Sequence, residues 1–245
     1  MTTAEPTDDS TRTTPPADAA PRLTILVAHA DDAERALLTG WLGDDDRLDL
    51  VADTEDTGST VAAVIELVPQ IVFVDLALVE GRDPTRSHAV SPTDGVGTIA
   101  AIRAAAPAVR VIAVSPDDDD RAYSALAAGA IGCHLWADVD DQSKAVTDLA
   151  AGVGRGEGAL TTGWAGRLLD EVRWLAREPG PVPAPELTPT ELEVVRRIST
   201  GASPAAIGEL HGVTVHLVNI HAGAAITKVW RHHDDDRQVA RLRAR

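Results

Sequence analysis

Cysteine is almost missing. The 245-residue chain holds one, Cys133, which excludes an intramolecular disulfide and fits a reducing compartment. Aromatic residues reach only 3%, so Ala, Val and Leu must fill whatever core the 44% of hydrophobic residues builds. No apolar run approaches the ~20 residues that a membrane-spanning helix needs, and no signal peptide opens the sequence. These absences lead to the expectation of a cytoplasmic protein without membrane contact. Also missing are a Ser/His/Asp triad, a glycine-rich phosphate loop and zinc-ligand spacing. The expectation is therefore no enzyme, no metal and no cofactor.

Basic charge is scarce too. With 22 Lys and Arg against 38 Asp and Glu, the net charge is −16, which taken alone speaks against a polyanionic partner. Its distribution changes that. Residues 183–245 carry eight Lys/Arg, seven Asp/Glu and five His. That stretch sits at +1, and −17 falls on the first 182 residues. The acidic load belongs to the front of the chain, and a near-neutral tail remains compatible with nucleic acid.

Residues 1–21 (MTTAEPTDDSTRTTPPADAAP) have no periodic apolar pattern and read as a disordered leader. Short apolar runs then alternate with helical patterns: LTILVA, LDLVAD, IVFVDL, VRVIAVS and IGCHLW as strands, with AERALLTGWL, STVAAVIELV, GVGTIAAIRAAA, DRAYSALAAG and DQSKAVTDLAAGV as helices. Such alternation predicts a parallel sheet covered on both faces, an α/β flavodoxin-like (βα)5 domain over 22–153. TTGWAGRLLDEVRWLARE has helical spacing and PGPVPAPE puts four prolines in eight residues, so 154–186 reads as a linker helix and a Pro-rich linker. Residues 187–245 are helical in pattern and form a C-terminal all-α domain. There Thr188-Pro189 with Glu191 spells a capping box, Gly201 a helix stop, and Ser203-Pro204 and Thr214 further starts.

The first half resembles the receiver domain of bacterial two-component systems. PQIVFVDL ends a strand on Asp75, where the resemblance places the phosphate-accepting aspartate. VIAVS ends on Ser115, the hydroxyl position that contacts the phosphate, and GAIGCHLW is similar to the family's GAxGYLxK. The departures concern chemistry. The acidic pair that receivers carry directly after the first strand, to hold Mg²⁺, is replaced by His29 and Ala30; Asp31 and Asp32 follow two places later, unless a shortened turn draws them back. Trp136 stands where the resemblance implies a lysine that pairs with the phosphate, and Cys133 takes the aromatic switch position. The loop after Asp75 carries about a dozen extra residues before Asp94-Gly95. The expectation is a degenerate phosphoacceptor pocket of Asp75, Ser115, Trp136, Asp31, Asp32 and His29, without Mg²⁺. A small-molecule ligand over Asp75, Ser115 and Trp136 is a further expectation, because an indole ring offers stacking surface in place of charge. Cys133 reads as a small core residue.

Residues 187–229 resemble the LuxR-type helix-turn-helix of NarL/FixJ response regulators, LTxREREVLxLxAxGxSNxEIAxxLxISxxTVKxHxxxIxxKL, without a gap. Leu187, Thr188, Pro189, Glu191, Glu193 and Val194 match the first helix, Gly201 and Ser203 the turn, Ile207 the next helix, and Val213-Thr214 the connection; Val218, His221 and Lys228 match the recognition helix, and Ile226 does so with a one-place shift. The resemblance implies a homodimeric DNA-binding transcriptional regulator. Its contact residues would be Thr214, His216, Asn219, His221, Lys228 and Arg231, with Arg237 and Arg241 on the backbone. Here too it departs: Leu217 replaces a threonine and Asn219 a lysine, and 214–227 contains no Lys or Arg. Asn can still read adenine. Two alternatives stay open, a protein-interaction module that no longer binds DNA and a conventional regulator phosphorylated on Asp75. The run His232-His233-Asp234-Asp235-Asp236 reads as a solvated break between helices.

Overall fold

The computed structural model describes residues 21–79, 94–116, 120–136, 141–177 and 180–243. Residues 1–20 of the leader, most of the loop after Asp75 and residues 178–179 of the linker therefore lie outside the described residues.

Five parallel strands, β1 (Leu23–Ala28), β2 (Leu48–Thr54), β3 (Ile71–Asp75), β4 (Arg110–Ser115) and β5 (Ala130–Leu135), form one sheet in the order β2-β1-β3-β4-β5. The order reverses beside β1, so the carboxyl ends of β1 and β3 border the crevice where doubly wound sheets place their sites. Five helices connect or follow the strands: α1 (Asp32–Gly43), α2 (Thr57–Leu67), α3 (Gly95–Ala105), α4 (Asp120–Ala128) and α5 (Gln142–Gly154). α1 packs beside α5, while α2, α3 and α4 neighbour one another in turn, which covers both sheet faces. Hence β3 and β5 are buried throughout, as their unbroken apolar runs require. This is the flavodoxin-like architecture expected from the sequence.

α6 (Thr162–Arg177) follows, burying Trp164, Ala165, Leu168 and Leu169. Between α5 and α6 the chain returns to the sheet: Ala159 bridges Gly132 in parallel, extending the outer edge of β5. The last three helices are α7 (Pro189–Ser199), α8 (Pro204–His211) and α9 (Val215–Arg243). The Thr188 hydroxyl accepts from Glu191 N (3.2 Å) and the Glu191 carboxylate from Thr188 N (2.7 Å), completing the capping box. Such a cap contributes about 1 kcal/mol. Gly201, at φ +89°, follows α7 in a conformation that a side chain would strain. Ser203 caps α8 through Ala206 N (3.2 Å), and the Thr214 hydroxyl accepts from Leu217 N (3.3 Å) at the start of α9.

One expectation fails. No break occurs at His232–Asp236; α9 is a single helix of 29 residues. Its buried stripe of Val218, Ala222, Ala225, Ile226, Val229, Trp230 and His232 runs at helical spacing up to the start of the polar cluster, whose Asp235 and Asp236 are exposed. His232 Nδ1 lies 3.0 Å from Pro183 O. His233 Nε2 lies 2.8 Å from Glu171 Oε1, at ion-pair distance without hydrogen-bond alignment. Both histidines thus contact residues outside α9.

Candidate functional site

At the carboxyl end of β3, Asp75 is 5% exposed. Both of its carboxylate oxygens are engaged by backbone: Oδ1 accepts from Ala77 N (2.8 Å) and Oδ2 from Ala30 N (3.2 Å). The side chain thus ties the loop after β1 to the loop after β3. Next to it His29 is 2% exposed, with Nδ1 3.8 Å from Asp75 Oδ2. That nitrogen accepts from Asp31 N (3.2 Å), which assigns the proton to Nε2, 3.1 Å from Glu34 Oε2 but off the hydrogen-bond line. Ser115 is buried at the end of β4.

The other two carboxylates do not converge on this point. Asp31 is the N-cap of α1 and accepts from Ala33 N and Glu34 N, each at 2.9 Å. Those bonds, with burial acting against them and His29 and Arg35 with them, keep its carboxyl below the usual range. Asp32 points outward and pairs with Arg35 at 2.6 Å. The turn after β1 is therefore not shortened: His29 and Ala30 fill the two places after the strand. Mg²⁺ takes near-octahedral oxygen donors. One buried carboxylate with both oxygens engaged by backbone N–H groups, an aspartate that caps a helix and a surface aspartate turned to Arg35 do not converge into that set. Among the described residues no group of three or more His, Cys, Asp or Glu side chains is placed to hold a metal.

Trp136, just past β5, is half-buried within an aromatic cluster. Its ring lies 5.4 Å from His134, 5.9 Å from Trp41 and 6.2 Å from His29, at steep interplanar angles. Such edge contacts contribute about 0.5–1.5 kcal/mol each beyond burial. The Gln142 side chain donates to Trp136 O. His134 is 4% exposed, and burial pushes its imidazole down to about 4, against the opposing pull of the Gln142 side chain, which as an acceptor favours the protonated ring. It is neutral at neutral pH. An apolar, edge-packed ring and a neutral imidazole thus occupy the region where the receiver resemblance implies a cation. Cys133 is buried, as expected of a core residue.

The expected DNA-contacting residues lie along α9 and its N-cap, and most have partners inside the protein. Asn219 Nδ2 donates to Glu157 Oε2 (2.8 Å), and His216 Nδ1 lies 3.0 Å from Glu157 Oε1. Thr214 caps the helix, and His221 lines a shallow groove of about 280 Å³ with Pro189, Val194, Ile207 and Leu217. Lys228 Nζ donates to Glu191 Oε2 (2.7 Å) and Glu186 O (3.1 Å). Burial raises the Glu191 carboxyl, but Lys228 and the Thr188 backbone outweigh it and hold the group ionised. Lys228 is thereby an internal partner of the capping-box glutamate. Arg231 is exposed; the side chains of Arg237 and Arg241 lie outside the described residues. Sequence reasoning missed Glu157. It sits in an unremarkable GRGEGA turn, and only the fold brings it to α9.

α9 also docks on the sheet domain. Trp230 Nε1 donates to Leu126 O (2.7 Å) at the end of α4, and the Arg103 guanidinium lies 4.7 Å from the Trp230 ring centre. Tyr123 on α4 bonds through its hydroxyl to Glu171 on α6.

No protein-family model matches the chain. The transcriptional regulatory protein LiaR of Bacillus subtilis (strain 168) is 25% identical over 209 residues, 84% of this chain and 90% of LiaR. Among solved structures, the RcsB response regulator of Salmonella typhimurium superposes with a TM-score of 0.50 at 15% identity, covering 85% of this chain and 92% of RcsB. A structure of an RcsB–DNA complex gives 0.50 at 16%, over 86% and 93%. At that identity the solved structures speak for fold alone. The likeness to LiaR covers 209 residues and so runs through both halves, and the solved structures share the fold, a five-stranded α/β domain followed by a helical one. No helix among the described residues is long and apolar enough to cross a membrane.

Proposed function

We propose that this chain is a sequence-specific DNA-binding transcriptional regulator, acting as a homodimer and without phosphorylation of Asp75. The observation that carries DNA binding is the helix-turn-helix frame. A boxed α7, a Ser-Pro start to α8 and a Thr-capped α9 support it: Thr214 is the cap of the third helix and His216 and Asn219 lie on its first turns, the part of a recognition helix that reads base edges in such frames. The relative that matches over nearly its whole length is named a transcriptional regulator, which supports the same reading. The domain division follows the sequence: leader 1–21, receiver-like domain 22–153, linker 154–186 and helix-turn-helix domain 187–245.

The pocket supports independence from phosphorylation. A phosphoryl group on Asp75 would disturb the backbone bonds the carboxylate now accepts and would meet His29; among the described residues no carboxylate set is placed to hold magnesium, Trp136 takes the place of the expected lysine, and the Arg121 guanidinium nearby is bonded to Leu76 O. A small-molecule trigger over Asp75, Ser115 and Trp136 is no longer part of the reading, because the Trp136 ring is already packed against His29, Trp41 and His134.

A second reading, a protein-interaction module without DNA, draws on one observation. Lys228 is bonded inside the helix-turn-helix, and 214–227 has no Lys or Arg. Incubating the purified protein with sheared genomic DNA and sequencing what is retained separates the two. A shared, roughly palindromic site, enriched equally with and without acetyl phosphate and Mg²⁺, is expected. Enrichment only with the phosphodonor would overturn phosphorylation independence, and no enrichment under either condition would favour the second reading.

A further inference from the structure

The side chains best placed to read DNA are held by a carboxylate of the chain itself. Glu157, in the turn after α5, is 7% exposed. One oxygen takes the Asn219 amide (2.8 Å), the other faces His216 Nδ1 (3.0 Å), and Arg155 adds a third donor at 2.7–2.9 Å. Main chain reinforces the contact, since Gly158 N donates to Asn219 O (3.0 Å). The approach is closer than any side chain would allow: a Cβ on Gly158 would lie 2.5 Å from Gly223 Cα, and one on Gly223 2.9 Å from Gly158 N. Ala159, next along, is bonded to β5 through Ile131 O (3.1 Å), so the turn is anchored to the sheet. Burial raises the Glu157 carboxyl, but the bonds from Asn219, His216 and Arg155 prevail and hold it below the usual carboxylate range. The group stays an anion at neutral pH.

We propose that Glu157 is a built-in competitor of DNA: the 155–158 turn clamps the reading face of α9, and Asn219 and His216 reach a base edge or phosphate only after leaving it. The inference rests on the DNA-binding reading and assigns the regulation of that same site. A carboxylate accepting from an amide and an imidazole satisfies the same donors that an acceptor edge in the major groove would. The two states are therefore mutually exclusive. The Gly158–Gly223 contact sets the geometry, because it fixes α9 at the distance that lets both side chains span to one carboxylate.

The test uses the full chain and three variants: Glu157→Ala, which removes the acceptor; Gly158→Val, which wedges the turn off α9 while leaving Glu157 in place; and Glu157→Ala combined with Asn219→Ala. Affinity for sheared genomic DNA is measured without a phosphodonor, and small-angle scattering follows the compactness of each free protein. Both single variants are expected to bind at least about tenfold tighter than the parent, the low end for losing a single bond to an ionised group. Gly158→Val should also expand in scattering. The double variant should lose the gain, which assigns the effect to Asn219 and not to general loosening. Equal affinity in the parent and both single variants, with DNA retained by all, overturns the clamp and leaves the DNA-binding reading intact. Expansion of Gly158→Val with no DNA retained by any variant sinks the DNA-binding reading, and with it this role of Glu157.

Discussion

Acidification from pH 7 to 5 should weaken the fold through His134 before any carboxylate titrates appreciably. The imidazole is 4% exposed against Trp136, and its folded pKa lies about 4 against an ordinary 6.5. A base whose folded pKa is depressed keeps the folded state neutral while the unfolded chain takes up a proton. Stability is therefore lost as pH falls through 6.5, and the loss levels off below the folded value. The full gap corresponds to about 3 kcal/mol, of which about 2 kcal/mol is already lost at pH 5. The carboxylates held low, Asp45 at about 2 and Glu157, Glu171 and Glu191 below their usual range, act in the same direction but at lower pH. Urea unfolding at half-unit steps from pH 7 to 4.5, on the parent and on His134→Leu, isolates the contribution. The parent should lose about 2 kcal/mol more than the variant between pH 7 and 5, whatever their offset at pH 7. Parallel curves for the two proteins would refute the claim that this buried neutral imidazole dominates the acid response.

The pocket and the helix-turn-helix yield further expectations. Asp75→Ala leaves two backbone donors, Ala30 N and Ala77 N, without their acceptor and should cost about 2 kcal/mol in urea unfolding, with no change in affinity for retained DNA. Trp136→Lys restores the missing cation but not the acidic pair, so Mg²⁺ titration and acetyl-phosphate labelling should both stay negative; labelling of this variant would show that Asp31 and Asp32 can be recruited. Lys228→Met leaves the Glu191 carboxylate buried without its cation and should cost about 3 kcal/mol of stability. The slope of log K against log salt for DNA should not change, whereas a slope smaller by about one would make Lys228 a phosphate contact after all.

Much of the fold was legible because its signals are local. The strands are apolar runs of five to seven residues between turn residues, and each of α7, α8 and α9 begins at a Thr or Ser that caps it. The polar cluster at 232–236 misled for a definable reason. Composition there says solvent, which holds for the exposed Asp235 and Asp236, while the spacing of Val218, Ala222, Ala225, Ile226, Val229, Trp230 and His232 carries one buried face of the helix up to the cluster without a break. The helical period was the better guide. Partners distant in sequence were not legible at all. Lys228 looked free until Glu191 appeared 37 residues away, and nothing in GRGEGA announces a carboxylate aimed at a helix 62 residues downstream.

The two departures from the receiver and helix-turn-helix patterns bear on each other. In the pocket, a ring packed in an aromatic cluster, Trp136, stands where the receiver resemblance implies a lysine. On α9, a cation is exchanged for Asn219, and an amide can be held by a protein carboxylate without a full ion pair. A lysine there would meet Glu157 and Arg155 as a second cation, and its attraction for DNA phosphate would be strong and independent of sequence. Asparagine makes the held state weaker and the reading more dependent on base edges. On the proposed reading, a regulator that needs no phosphoryl trigger requires a closed state that its own target can open, and a clamp of a few hydrogen bonds meets that condition better than a buried ion pair, whose breaking leaves uncompensated charge. Asn219→Lys puts this to the test. The variant should bind bulk DNA more tightly and lose preference for the sites retained by the parent, and its affinity should fall more steeply with salt; a variant that keeps the parent's site preference and salt slope would remove Asn219 from the reading face.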